Sequence, residues 1–234
     1  IAMVKSRLKD LGAKVVKEDS ATEYAHRYEI QFSGDMKKLA DFVEDIEGVE
    51  ILSIGNSLEL IKDLGDASVV SDQYGLNQFN GTHGIGHTRM ATHGSAESNE
   101  DNQPVLRDQQ IVLHNGIIIN CEEIFAETPI LERQYEVDTE VFIALISEYS
   151  KNGLSEYEAI EKAFTRCKGA NTFVYFTQRS QYVNLVTSNG SLYFAADNNL
   201  GIFLFASEKQ TLANLLDQNG FNKMKISVQQ LAKD

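Results

Sequence analysis

Apolar positions near the start of the chain repeat in short, mixed periods. Val4, Leu8 and Leu11 recur at helical spacing over residues 3–11, with Gly12 behind them as a C-cap. Extended segments follow at 13–17 and 28–32, the second alternating as Tyr28-Glu-Ile30-Gln-Phe32. Asp35 stands where an N-cap belongs, ahead of Leu39, Phe42, Val43 and Ile46 on one helical stripe, and Gly48 closes that helix. Val49 to Ile54 then reads as a strand. This order predicts a small α/β segment over residues 1–65 that serves as scaffold, because His26 is isolated there and the acids are spread over exposed helix faces.

From residue 66 to 234 the pattern changes. Short β-rich runs fall at 84–90, 111–115, 171–177, 182–188, 191–196 and 202–206, with Asn189-Gly190 as a hairpin signal between two of them. Two helices interrupt the series. Residues 139–149 carry Val141, Phe142, Leu145 and Ile146, and residues 156–167 follow a Ser155/Glu158 capping box. Strands, a helical pair and more strands predict an α+β arrangement of sheets packed with helices.

Composition narrows the function classes. No apolar run approaches the roughly 20 residues of a membrane helix. Lys and Arg total 21 against 34 Asp and Glu, a formal charge of -13 that repels phosphate backbones, so neither a membrane nor a nucleic-acid partner is expected. Two cysteines, Cys121 and Cys167, and an opening stretch without a leader's apolar core fit a reducing, cytoplasmic compartment.

Four of the five histidines (His83, His87, His93 and His114) lie within 32 residues. Around the first three runs Gly81-Thr-His-Gly-Ile-Gly-His-Thr-Arg-Met-Ala-Thr-His-Gly94, whose glycines let backbone amides approach a ligand while Arg89 offers a planar fork for a carboxylate. A turn-rich edge is the plainer reading. His83 and His87 are four apart, but glycines 81, 84 and 86 oppose a helix and no cysteine lies nearby, so no metal and no cofactor is expected. The run Ile111-Val-Leu-His-Asn-Gly-Ile117 ends an apolar strand in a turn, where a side-chain amide and a backbone N–H can form an oxyanion hole or simply an Asn-Gly turn. Asp138 opens a helix as Asp138-Thr-Glu140, where its plainest role is N-cap.

Gly86-His-Thr-Arg-Met-Ala-Thr-His-Gly94, His114-Asn-Gly116 and Asp138-Thr-Glu140, in this order, resemble the class II glutamine amidotransferase domain, an N-terminal-nucleophile hydrolase. Gly169-Ala170 and Phe205-Ala-Ser-Glu208 add to the likeness, which covers roughly residues 80–216. The stretch 81–92, Gly55-Asn-Ser-Leu-Glu-Leu60 and Lys62-Asp-Leu-Gly65 look most like the amidotransferase subunit of archaeal-type glutamate synthase. The resemblance implies a four-layer αββα sandwich, with residues 1–65 as an insertion. It implies hydrolysis of glutamine to glutamate and ammonia, the ammonia passing to a synthase domain or subunit. Glutamate, a sugar phosphate or aspartate are the acceptors suggested by family analogy. Arg89, Thr92 and His93 would hold the glutamine α-carboxylate, Asp138 its α-ammonium group, and Asn115 with the Gly116 N–H the oxyanion.

The sequence also departs from that family. The family's nucleophile is a cysteine that opens the mature chain, whereas Ile1 stands first here and the family's opening Arg-Gly-x-Asp-type segment is missing. Neither Cys121 nor Cys167 matches the nucleophile, and Met90 stands where some relatives carry an aromatic residue. The expectation is a truncated amidotransferase whose cysteine lies upstream of Ile1. The competing readings are a non-catalytic glutamine-binding or regulatory module and a His-rich metalloprotein. The sequence leaves oligomeric state open.

Overall fold

A computed structural model of the chain describes residues 1–20, 25–49, 51, 54–55, 58–89, 101–177, 182–221 and 227–232. Contacts group it into two units, Ile1–Gly86 and His87–Asp234. In the first, α1 (Ala2–Asp10), β1 (Lys14–Ser20), β2 (His26–Gln31) and α2 (Met36–Glu44) surround a core of Leu8, Ala13, Leu39 and Val43, and α3 (Ala67–Tyr74) follows. Gly12 takes a φ of +80° behind α1, a conformation that costs glycine little. Asp35 caps α2 as expected, its carboxylate accepting from the N–H groups of Lys37 at 2.9 Å and Lys38 at 3.3 Å. Of the strand expected at 49–54, Val49, Ile51 and Ile54 are not paired as strand but pack as apolar side chains on that core, and residues 50, 52 and 53 lie outside the described residues.

The second unit is built on an antiparallel sheet of order β3-β4-β5-β6, formed by Val105–Arg107, Gln110–Gly116, Asn171–Thr177 and Asn184–Thr187. Two further helices are α4 (Cys121–Glu127) and α5 (Glu140–Lys151). Val112, Phe173 and Tyr175 of the sheet share a core with buried residues of α4, α5 and α6 (Glu156–Arg166). Ile111, Leu113 and Val174 alternate onto the opposite face and are buried as well. The sheet is therefore covered on both sides. Helix α5 is enclosed through eight consecutive residues, Glu140–Ser147, which explains its nearly unbroken apolar run. Phe142 stacks on Phe173 with centroids 3.9 Å apart, each fully buried and each worth about 1.5–3 kcal/mol in transfer from water. The capping box of α6 forms as expected between Ser155 and Glu158.

A second sheet of order β8-β7-β9 comprises Ile202–Ala206, Tyr193–Asp197 and Gln229–Gln230. Helix α7 (Lys209–Gln218) packs Leu212 and Leu216 against its Ala195. Asn189-Gly190 is consequently no hairpin, since β6 and β7 belong to different sheets. The Asn189 side chain instead accepts from Thr187 Oγ1 and the Ser191 N–H, turning the chain from one sheet to the next. The expected strand at 84–90 is also absent over 84–89, and Met90 lies outside the described residues.

A buried ion pair ties strand to helix. Glu140, fully buried, accepts from Arg107 Nη1 at 2.7 Å and from the N–H groups of Gln134 and Tyr135, each at 2.8 Å. Arg107 also donates to the Glu132 carbonyl at 2.6 Å, so the 132–135 loop is pinned between β3 and α5. Replacing Glu140 by Gln leaves a buried guanidinium without its counter-charge and should destabilise the fold by about 3–5 kcal/mol. Denaturant unfolding would measure it, and a loss under about 1 kcal/mol would refute this role for the pair.

Candidate functional site

The expected oxyanion dipeptide occupies the end of β4, within the strand rather than in a turn after it. Asn115 pairs with Thr172 and Gly116 with Asn171. Asn171 uses its own N–H on Ser188 Oγ and its carbonyl on the Ser188 N–H, both toward β6. The Gly116–Asn171 pair is thus the kind that exchanges no ladder bonds, and the Gly116 N–H is directed away from β5. Backbone alternation agrees, because Ile117 N donates across to the Ala170 carbonyl at 3.3 Å. Gly116 has a φ of +147°, and a Cβ there would meet the Ala170 oxygen at 2.0 Å and His114 Nε2 at 2.9 Å. Only glycine fits this close approach. Asn115 is exposed and points to the sheet face opposite His114.

His114, buried and stacked on Phe173 at 4.5 Å, joins three elements. Its Nε2 lies 3.0 Å from Asn171 Oδ1 and its Nδ1 lies 3.0 Å from Thr139 Oγ1. Asn171 Nδ2 faces the Cys167 carbonyl, so Oδ1 is the acceptor and Nε2 carries the proton. Burial pulls the His114 pKa below its ordinary 6.5, against the opposing effects of Asp138 and of the Asn171 bond. The ring is therefore neutral, and Nδ1 accepts from the Thr139 hydroxyl.

Asp138 is buried beside this ring, with Oδ1 at 3.9 Å from His114 Nδ1. The N-cap position expected for it belongs to Thr139, directly before α5. Asp138 Oδ2 instead accepts the Ile118 N–H at 2.7 Å, two residues beyond Gly116. That bond ties the entry to α5 to the segment leaving β4, and so brings Asp138 to Asn115 and Gly116.

Arg89 is half-buried and donates to Asn102 Oδ1 at 3.1 Å. Burial lowers the His87 pKa first, followed by the electrostatic influence of His114 and Arg89. Thr92 and His93, expected beside Arg89, lie outside the described residues. His83 is exposed and meets Thr82 Oγ1 at 2.8 Å. Cys121 and Cys167 are buried, and burial pushes each thiol up to about 12. The sequence reading gave no role to Thr139, Asn171 or Gln103. The three successive polar residues Asp138-Thr139-Glu140 ahead of an apolar helix were the available signal.

A sequence model of the glutamine amidotransferase domain matches residues 87–214. The chain is 37% identical to the glutamine–fructose-6-phosphate aminotransferase (isomerizing) of Pyrobaculum aerophilum over 131 residues, 54% of this chain and 21% of that one. The same enzyme of Photorhabdus laumondii is 33% identical over 150 residues, 63% of this chain and 24% of its own. The chain thus spans a fifth to a quarter of the length of these curated relatives. A solved glutamine phosphoribosylpyrophosphate amidotransferase from B. subtilis, complexed with ADP and GMP, aligns with a TM-score of 0.47 at 22% identity, over 63% of this chain and 30% of that one. The matched span is more than half of the 234 residues and holds Arg89, Asn115, Gly116 and Asp138 together, and the chain belongs to the glutamine amidotransferase domain family.

Proposed function

We propose that residues 87–234 bind glutamine at the end of β4 and hydrolyse its side-chain amide, releasing glutamate and ammonia to a synthase domain or subunit. The observation that carries this reading is the geometry of three neighbours: an outward-directed Gly116 N–H, an exposed Asn115 amide, and Asp138 fastened two residues further on. Arg89 holds the α-carboxylate, assisted by Thr92 and His93. Asp138 takes the α-ammonium group, and Asn115 and Gly116 stabilise the oxyanion formed when the amide carbon is attacked. Burial of the sheet on both faces supports a complete four-layer αββα sandwich as the frame. The likeness of the stretch 81–92 supports a member of the branch of archaeal-type glutamate synthase subunits, acting in the cytoplasm. Residues 1–65 are proposed as scaffold, and the core as beginning at residue 66.

A second reading, glutamine binding without turnover, is favoured by one observation: both cysteines are buried and held as neutral thiols. Calorimetric titration of the full natural gene product with glutamine, followed by an ammonia-release assay, separates the two. Binding with release supports hydrolysis, binding alone supports the second reading, and no binding sinks both.

Two substitutions test the site. Arg89→Ala should abolish measurable glutamine binding, because the carboxylate loses its fork; retained affinity would displace the pocket from Arg89. Asn115→Ala should leave binding nearly intact and lower turnover by about 2.7–4 kcal/mol, the range for an oxyanion donor. An unchanged rate would return Asn115 to a structural role.

Acid should also loosen this unit. His87 and His114 have folded pKa values below 6.5, so the unfolded chain binds protons that the native chain does not. Their contribution is complete above pH 6.5 and is lost as pH falls below 6.5 toward the folded values. Urea midpoints measured from about pH 7 down to 5 should fall less steeply in His114→Gln than in the wild type. Parallel slopes would contradict the buried, neutral assignment of His114.

A further inference from the structure

The rung of the ladder next to Gly116 is made by a side chain. Strand β3 pairs Val105 with Val112, Leu106 with Ile111 and Arg107 with Gln110, so antiparallel counting puts Gln103 opposite His114. Pro104, between Gln103 and Val105, has no N–H to offer. At that rung the Gln103 carboxamide does the work of a strand backbone: its Oε1 accepts the His114 N–H, and its Nε2 donates to the His114 carbonyl at 2.8 Å. His114 and Gly116, two residues apart, direct their backbone groups to the same side of β4. β3 supplies no residue opposite Gly116.

We infer that Gln103 is a positioning residue for the oxyanion donor. Its carboxamide holds the last paired residue of β4 at ladder geometry while the strand that would have paired Gly116 has already ended. A main-chain neighbour running one rung further would have engaged the Gly116 N–H; a side chain ends the ladder one rung earlier. Gln103 also acts on the residue whose ring fixes Thr139 beside Asp138 and Asn171 beside Gly116, so both halves of the site hang from one clamped residue. Gln103 touches His114 rather than glutamine, and the inference rests on the glutaminase reading proposed above.

The test uses the full natural gene product with Gln103→Leu, which removes both bonds at similar volume, and Gln103→Glu, which keeps the acceptor and loses the donor. Calorimetric Kd for glutamine and KM should stay within about twofold of wild type, while kcat falls on the order of tenfold to a hundredfold in the Leu variant and less in the Glu variant. Amide hydrogen exchange at His114 should accelerate in the Leu variant, which loses the acceptor of that N–H, and much less in the Glu variant, which keeps it, with Val112 unchanged in both as the control for an intact sheet. A kcat within about twofold of wild type in both variants overturns the inference, as does a rise in KM at constant kcat. If Gln103→Leu fails to fold, Gln103→Glu decides alone by the same criteria. Wild-type protein that binds no glutamine or releases no ammonia refutes the parent reading and this inference with it; active wild type with normal Gln103 variants refutes this inference only.

Discussion

Strand β4 is buried on both faces from Gln110 to His114 and bonded on both edges there, and the placement of Asn115 and Gly116 at its end depends on that constraint. A strand so enclosed has no freedom in where its side chains and backbone groups point. Val112 and His114 must face α5, while Leu113 and Asn115 must face the other way. Backbone groups alternate between β5 and the β3 side in the same register. At the strand's end this rule places an amide side chain, a backbone donor and a buried imidazole within three consecutive residues. The Gly116 φ of +147° and the close approach of the Ala170 carbonyl then exclude any side chain at that position.

The start of α5 shows what such an arrangement demands. Asp138, Thr139 and Glu140 are consecutive and all buried, a costly placement unless each polar group is matched. Each is matched by a different element: Asp138 by the Ile118 N–H, Thr139 by His114, and Glu140 by Arg107 and the 134–135 backbone. The three bonds fasten one helix to β4, to the segment after it and to β3. This is why the loop before α5 can present Asp138 in a fixed place although it contains little regular structure.

Legibility of the sequence followed the range of the interactions. The caps at Asp35 and Ser155 were readable because donor and acceptor lie within three residues. Strands β5 and β8 were readable because their apolar runs are complete. β3 was missed: it is three residues long, and its two-residue turn uses Asp108 and Gln109 at φ of 51° and 64° in place of the usual glycine-containing pair. Asn189-Gly190 misled for the opposite reason, since a strong local turn signal says nothing about which sheet the next strand joins. The N-cap reading of Asp138 failed because its true partner is 20 residues away. The Gln103 clamp spans 11 residues and follows from strand register, which no local pattern reveals.

The two cysteines mark the boundary between what this unit holds and what its proposed reaction needs. A thiol whose pKa is pushed to about 12 is ionised to roughly one part in 10⁵ at neutral pH, whereas the attacking species in thiol chemistry is the thiolate. The burial that makes Cys121 and Cys167 good core residues beside Ile124 and Ala163 is what disqualifies them as nucleophiles. The binding and oxyanion roles proposed for Arg89, Asp138, Asn115 and Gly116 make no such demand. Substrate recognition and nucleophilic attack are therefore separable in the proposed reaction: Asp138, Asn115 and Gly116 are held by the β4–α5 framework, whereas both cysteines are packed into the core.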